Sequence, residues 1–329
     1  MSAYRAFEAT GVRRLRLVER ELVEPEPGHV RLRVEACGVC HSDVPAVEGL
    51  RPDPSRPVVP GHEIVGVIDA VGAGVTAWRP GDRVGVGRGD FVNCLNQEQT
   101  GTTIDGGYAE VTYARASGLV RIPDGMPAVE AAPLLCAGLT TFTALFTALQ
   151  EVPTRAGALV AVQGIGGLGH LALQYARSLG FRVAAIALGQ EKETLARELV
   201  AHEYIDSTGT DPGTAPADLG GASAIVATAS SGTSRNPLVR GLAPGGTLLV
   251  VGAAPDPLTL ATADLIFGTR RIVGSLTGSS IRNEDNPAFS LAHGIRPATE
   301  SMPFPHAMDA YERMLSGEAR FRVVLDMAA

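Results

Sequence analysis

The 329-residue chain has no run of lysine or arginine, no internal repeat and no low-complexity tract. Its formal net charge is −7, so it lacks the electrostatic footprint of a protein that binds nucleic acid or an anionic membrane. The opening MSAYRAFEATGVRR holds no apolar core of the kind that directs secretion, and a cytoplasmic location is expected. Cysteine is scarce. Cys37, Cys40, Cys94 and Cys136 do not suggest a secreted disulfide framework, but they suit a reducing compartment and metal ligation. Asp, Glu, Lys and Arg are missing altogether from residues 131–150 and 156–176, each long enough to span a bilayer. Neither reads as a span. The first is broken by Pro133, Cys136 and four threonines. The second carries five glycines with Gln163 and His170, and parses as strand, turn and helix.

What is present divides the chain in two, as its length suggests. The first ~130 residues are short β-type runs punctuated by Gly and Pro, which point to a compact, barrel-like β unit. Residues 30–35 alternate apolar and charged side chains, as a half-buried strand should. From about Gly138 the pattern becomes strand and helix in alternation. Strands are expected at 158–162, 182–187, 203–205, 222–228, 246–252 and 271–275. Helices are expected at 168–179 and 192–200. This spacing predicts a doubly wound parallel sheet with helices on both faces. Residues 286–329 are expected to pack back on the first unit. The domains are then 1–137 with 274–329, and 138–273.

Three residues in this order have the chemistry of zinc ligands: Cys40 in Cys37-Gly-Val-Cys-His-Ser-Asp43, His62 in Gly61-His-Glu63, and Cys136 in Pro133-Leu-Leu-Cys136. A soft Cys/His/Cys set suits zinc, and three protein ligands leave a fourth position for substrate. Cys136 is expected at the start of a helix, whose positive end favours a thiolate. Cys37 reads as a buried small hydrophobe. The loop Gly164-Ile-Gly-Gly-Leu-Gly169 follows a strand and opens a helix, the context of a dinucleotide fingerprint. Gly164 would make the turn, Gly166 would admit the pyrophosphate, and Gly169 would let helix and strand pack closely. Gly167 and Leu168 complete the loop.

With these segments in hand, the chain resembles the zinc-dependent medium-chain alcohol dehydrogenases. The matching segments are 37–43, 61–66, 81–84, 105–110, 136–141 and 164–169, in the family's order. The resemblance implies a β-rich GroES-like catalytic domain and a Rossmann domain. It implies alcohol–carbonyl interconversion by hydride transfer with NAD or NADP. Cys40, His62 and Cys136 would hold the catalytic zinc. Glu63 would stand behind the metal or serve as an occasional fourth ligand. Asp43 would orient His62 through its free nitrogen, and Ser42 would take the alcohol proton. His41 would lie near the cofactor pyrophosphate, and Arg322 would contact the cofactor phosphates. A small-molecule alcohol or carbonyl is the expected partner, with a homodimer or homotetramer as the assembly. Leu50, Arg51, Phe91 and Leu276 are candidates for lining the substrate pocket.

Two departures from the family matter. Only Cys94 stands where many members carry four cysteines around a structural zinc, so one zinc per chain is expected. Pro45 occupies the place of a relay histidine and cannot titrate. At the end of the second Rossmann strand, Ala187 replaces the acidic residue that binds the ribose 2′-hydroxyl of NAD. Leu188 follows, and Lys192 is the nearest cation, within possible reach of the adenosine ribose. Ala187 leans the reading towards NADP. Two other readings keep the fold: a zinc-independent quinone or enoyl reductase, and a non-catalytic nucleotide-binding protein.

Overall fold

The computed structural model describes residues 3–51, 53, 55–87, 98–151 and 157–329. Phe91 and Cys94 lie outside the described residues. The chain folds as two compact units, Met1–Cys136 with Gly278–Ala329, and Ala137–Thr277.

The first unit opens with a hairpin of β1 (Ala3–Gly11) and β2 (Arg14–Glu21). Its main sheet contains β3 (His29–Val39), β4 (Glu63–Val71), β5 (Arg83–Val86), β6 (Val111–Arg115) and β7 (Leu119–Arg121). The end of the chain returns to it as β14 (Thr299–Pro303) and β15 (Arg322–Asp326). The order is β14-β15-β3-β4-β5-β7, with β6 also paired to β3. The centre of this sheet is β3. Its first half alternates buried Val30, Leu32 and Val34 with more exposed Arg31 and Arg33, the period-two pattern of a half-buried strand. From Ala36 to Val39 every residue is buried, and this is where the strand runs into the site. Returning the tail to this sheet sets β15 antiparallel against β3, with Val323 opposite Val39 and Val324 opposite Gly38. On the other side of β3, Glu63 pairs with Gly38. Tyr108, Tyr311, Leu32, Ile64 and Ile68 fill the core, and Phe7 meets Phe304 edge-on at 5.2 Å.

The second unit is a parallel sheet of β8 (Leu159–Gln163), β9 (Arg182–Ala187), β10 (Glu203–Asp206), β11 (Ala222–Ala227), β12 (Leu242–Val250) and β13 (Arg271–Gly274). These are the six strands expected from the sequence. Their order is β10-β9-β8-β11-β12-β13. The chain therefore winds outward from β8 to β10 on one side and from β11 to β13 on the other. The reversal between β8 and β11 is the place where open α/β sheets bind ligands, beyond the carboxyl ends of the strands. Every residue of β8 is buried, as a central parallel strand requires. The glycine loop leaves β8 and enters the Gly169–Ser178 helix.

Among the described residues, one helical run, Ala128–Phe146, is long and apolar enough to cross a membrane. It is 78% buried inside the protein, the signature of a core helix.

At Gly169 a Cβ would lie 1.8 Å from the Gly164 carbonyl oxygen, so the helix start and the strand exit touch backbone to backbone. Alanine in place of helical glycine ordinarily stabilises by about 0.5–1 kcal/mol. Here the sign should invert. Gly169→Ala is expected to cost about 1–3 kcal/mol through overpacking. Thermal unfolding of the two proteins measures it, and a raised midpoint in the variant would contradict this account.

Candidate metal centre and dinucleotide loop

The first cluster is built around Asp43. The strand β3 ends at Val39, and a single tight turn, His41–Asp43, follows. Cys40 caps that turn. Its thiol accepts from the Ser42 amide at 3.5 Å, and the Asp43 carboxylate accepts from the Cys40 amide at 2.9 Å. The segment Cys-His-Ser-Asp is therefore a reciprocal capping box. Asp43 is fully buried and accepts two further bonds. His62 Nδ1 lies 2.8 Å from its Oδ1, and the Tyr108 hydroxyl donates to its Oδ2 at 3.0 Å. A carboxylate only accepts, so His62 donates from Nδ1 to Asp43, and Nε2 is the nitrogen grouped with Cys40, Glu63 and Cys136. That Nε2 is buried and has no hydrogen-bond partner.

Beside His62, the first residue of β4 is Glu63. Its side chain crosses β3 at Gly38, where a Cβ would stand 1.9 Å from Glu63 Oε2. Glycine is required there by this close approach alone. The Glu63 carboxylate then meets Arg322 of β15 in a buried ion pair. Burial pushes the Glu63 carboxyl up to about 7, although the Arg322 guanidinium opposes it. Burial works against the Arg322 cation too, but Glu63, Cys40 and Cys136 outweigh it and hold the group charged. Arg322 is thus engaged with Glu63 inside its own unit, with Nε left without a partner.

Cys136 requires a correction. The sequence places it at the start of a helix, but it lies inside a continuous helical run. Pro133 ends the Ala128–Pro133 helix, a π-helical turn spans Leu134–Gly138, and Leu139–Glu151 continues. Proline removes an amide donor from the run, and the wider turn accommodates the loss. No helix N-terminus acts on this thiol. Hydrogen bonding with Cys40 and burial instead push the Cys136 thiol well up. Cys40 moves the other way. Hydrogen bonding from Cys136, with the charges of Arg322 and His62, brings its thiol well down despite burial. Burial alone would lower His62, but the Asp43 carboxylate raises it to about 10.

The candidate ligand atoms of Cys40, His62, Glu63 and Cys136 all lie within 4.8 Å of one another. A tetrahedral ion with bonds of about 2.0–2.3 Å needs donors roughly 3.3–3.8 Å apart. Two sulfurs, an imidazole nitrogen with no partner and a carboxylate oxygen, Glu63 Oε2, that is equally unpartnered form a donor set that fits zinc. Cys37 stays outside it; burial pushes its thiol up. Tyr108 was missed in the sequence. It belongs to the segment 105–110, but nothing local marks its hydroxyl as a donor to Asp43. His41 is exposed on the capped turn, and Ser42 is half-buried beside Cys40.

The second unit supplies the loop. Gly164 has φ +90° and its carbonyl accepts from the Thr228 hydroxyl at 2.8 Å. At Gly166 nothing lies within 4 Å of a Cβ position, so the backbone there is open to approach. Gly167 and Leu168 carry the chain into the helix. Lys192 does not point outward: its ammonium donates to the Ile165 carbonyl at 3.0 Å and lies against the loop. Ala187 is buried at the end of β9, and its carbonyl accepts from both the amide and the hydroxyl of Ser207. Leu188, next in the chain, is 72% exposed. One carboxylate the sequence reading passed over stands near: Asp206, opposite Ala187 in register, accepts from the Gly189 amide at 2.9 Å. Thr208 donates to the same oxygen from its amide and its hydroxyl. Arg235 was also missed. It is buried and donates to the carbonyls of Ala229 and Gly252, tying together the exits of β11 and β12. Of the pocket candidates, Leu50 and Leu276 are exposed, and Arg51 donates to the Arg56 carbonyl.

Two family models match the chain. Residues 26–124 match the alcohol dehydrogenase GroES-like domain, and residues 167–293 match the zinc-binding dehydrogenase domain. The chain is 43% identical over 317 residues to alcohol dehydrogenase notN of Aspergillus sp. (strain MF297-2), covering 92% of this chain and 91% of that one. Among solved structures it resembles the acetophenone reductase of Geotrichum candidum in complex with NAD, with TM-score 0.83 and 26% identity over 99% of this chain and 98% of that one. It also resembles the CAD of Helicobacter pylori complexed with NADP(H), with TM-score 0.82 and 26% identity over 99% of this chain and 98% of that one.

Asp43→Asn keeps the shape of the hub and removes its charge. Outer partners of metal ligands typically contribute about 10–100-fold in metal affinity or activity. The variant is expected to fold and to lose affinity for zinc within that range, read by chelator competition. Parent-like zinc retention would refute the role given to Asp43.

Proposed function

The chain belongs to the zinc-type medium-chain alcohol dehydrogenase family, and we propose that it interconverts alcohols with aldehydes or ketones using one zinc per chain and a nicotinamide dinucleotide, NADP by preference. The observation that carries the metal reading is the buried, unpartnered Nε2 of His62 facing Cys40, Glu63 and Cys136. Cys40, His62 and Cys136 would hold the ion, with Glu63 close enough to replace a departing ligand. When bound, zinc supplies Lewis acidity towards a hydroxyl or carbonyl oxygen, and the dinucleotide gives or takes the hydride.

The chain's own residues do the rest. Asp43 holds the His62 Nδ1–H, so Nε2 is the nitrogen left for the ion, which would displace the proton that Asp43 favours on the metal-free ring. Arg322 neutralises Glu63, which lets a carboxylate remain beside two sulfurs in a buried site. Ser42 Oγ, on the capped turn, takes the proton of the substrate hydroxyl. Pro45 cannot relay that proton onward, so it passes from Ser42 to water. His41, exposed on the same turn, is available to a phosphate. A zinc-independent reductase of this fold would have no use for a Cys/His/Cys set with an oriented imidazole.

The loop would receive the pyrophosphate at Gly166, where the backbone is open. Lys192 adds a positive charge at Ile165. Ala187 presents no carboxylate to a 2′-phosphate, and Asp206 takes three donors on a single oxygen, Oδ1. The exposed Leu188 leaves the ribose position unobstructed. Homo-oligomeric assembly is supported by β13, an edge strand of the sheet, with Phe267 89% exposed just before it. The use of Cys40 and Cys136 as candidate metal ligands supports a reducing, cytoplasmic compartment.

Metal analysis of purified protein, with its mass fixed by sedimentation velocity, should give one zinc per chain of a dimer or tetramer. Cys94→Ser should leave the zinc content unchanged, and an activity panel of alcohols and aldehydes should show turnover that chelation abolishes. Two zincs per chain, or full activity with none, would sink this reading.

Cofactor choice follows from Ala187. A carboxylate introduced there would gain the ribose 2′-hydroxyl and repel a 2′-phosphate. Like charges a few ångströms apart in a partly buried site cost about 1–4 kcal/mol. Ala187→Asp should therefore shift the ratio of kcat/KM values towards NAD by roughly ten- to several-hundredfold. The parent should use NADPH at least as well as NADH. A strong parental preference for NADH, or an unmoved ratio in the variant, overturns it.

A further inference from the structure

The Ser280–Ala292 helix carries a stripe that a buried helix face should avoid. Asn283, Asn286 and Ser290 follow one another at helical spacing and all three are buried. Buried polar groups persist where they satisfy something. What Asn286 satisfies is specific. Its side-chain amide donates at 2.8 Å to the carbonyl of Leu134, the first residue of the π-helical turn that carries Cys136. The Asn286 carbonyl in turn accepts from the Ser290 hydroxyl at 3.4 Å, which fixes the direction of the amide. Asn283 and Leu135 of the turn both lie against Gly87. A Cβ at Gly87 would lie 3.0 Å from the Leu135 carbonyl and 3.2 Å from the Asn283 amide nitrogen. Asn286 therefore faces the backbone of the turn.

A π turn widens the helix by one residue and disturbs the regular backbone bonding of the run. Pro133, just before it, removes an amide donor as well. Asn286 brings a side-chain donor to the Leu134 carbonyl from 152 residues away in the chain, and so ties the wide turn that carries Cys136 to the Ser280–Ala292 helix. We propose that Asn286 is a positioning residue for the Cys136 ligand, setting the place of the thiolate through the Leu134 carbonyl. This rests on the zinc reading given above and adds to it a residue outside the ligand motifs.

The test compares the parent with Asn286→Leu, which removes the donor at similar volume, and Asn286→Ser, which keeps a donor on a shorter arm. Zinc affinity is read by chelator competition. Ligand geometry is read from the thiolate charge-transfer and d–d bands of the cobalt(II)-substituted proteins, and the stability of the metal-free form by denaturant unfolding. The expected result is a loss of about 10–100-fold in zinc affinity for Asn286→Leu, with altered cobalt bands, and a smaller loss for Asn286→Ser. A leucine variant that is folded, less stable, and yet matches the parent in zinc affinity and cobalt spectrum would reduce Asn286 to a structural residue and overturn the proposal. Should the leucine variant fail to fold, Asn286→Ser decides alone: a loss of threefold or more supports the proposal and parental affinity overturns it. A parent that binds neither zinc nor cobalt defeats the metal reading itself, an outcome separate from these.

Discussion

The condition on which the first unit turns is the burial of Asp43. An ionised carboxylate removed from water carries a penalty of several kcal/mol unless donors replace the solvent. Asp43 is fully buried and receives the Cys40 amide, the His62 imidazole and the Tyr108 hydroxyl. These donors come from the turn after β3, the start of β4 and the segment leading into β6. The carboxylate can be buried only when all three arrive, and their arrival is what places Cys40 and aims His62. Stability and site geometry are here one requirement. Tyr108 remains a donor throughout, because burial and the neighbouring Asp43 charge push its hydroxyl well up.

A second charge balance depends on the return of the chain. Glu63 starts β4, and its side chain crosses β3 over Gly38. The cation that meets it is Arg322, on a strand nearly 260 residues later. That strand must pair antiparallel with β3, and in this register Arg322 is the residue just before the partner of Val39. A register slip of one residue would turn the guanidinium to the other face of the sheet and leave Glu63 buried without its partner. The residues after Thr277 therefore belong with the first unit for an electrostatic reason as well as a hydrophobic one.

This explains what the sequence made legible. The parallel sheet of the second unit was readable because a buried central strand is an uninterrupted apolar run, and β8 and β9 are such runs. The pairing of Asp43 with His62 was readable from the words around them. The pairing of Arg322 with Glu63 was not legible, because an arginine on a terminal strand carries no mark of its partner; register alone gives it Glu63. Cys136 was misplaced because the apolar residues on either side have helical character whether a helix starts, ends or widens there. The π turn follows Pro133 and takes a donor from Asn286, and only the proline is local. The strand β14 escaped because Thr-Glu-Ser-Met-Pro has no strong β pattern, and parallel pairing with β15 imposes its conformation.

The two sites are thus specified by different physics. The dinucleotide loop asks only for backbone: a positive φ at Gly164, an open face at Gly166, and contact between Gly164 and Gly169 too close for any side chain. Those demands fall on neighbouring residues, so a short motif records them. The candidate metal centre asks for charges and donors that must agree across Cys40, Asp43, His62, Glu63, Tyr108, Cys136 and Arg322. None of these can be buried in isolation without penalty, so each depends on the arrival of the others. A constellation of this kind tolerates change at its ligands no better than at the residues that hold them. Its true extent is the set of groups whose burial is mutually conditional, and that set reaches well past the three residues whose chemistry names the metal.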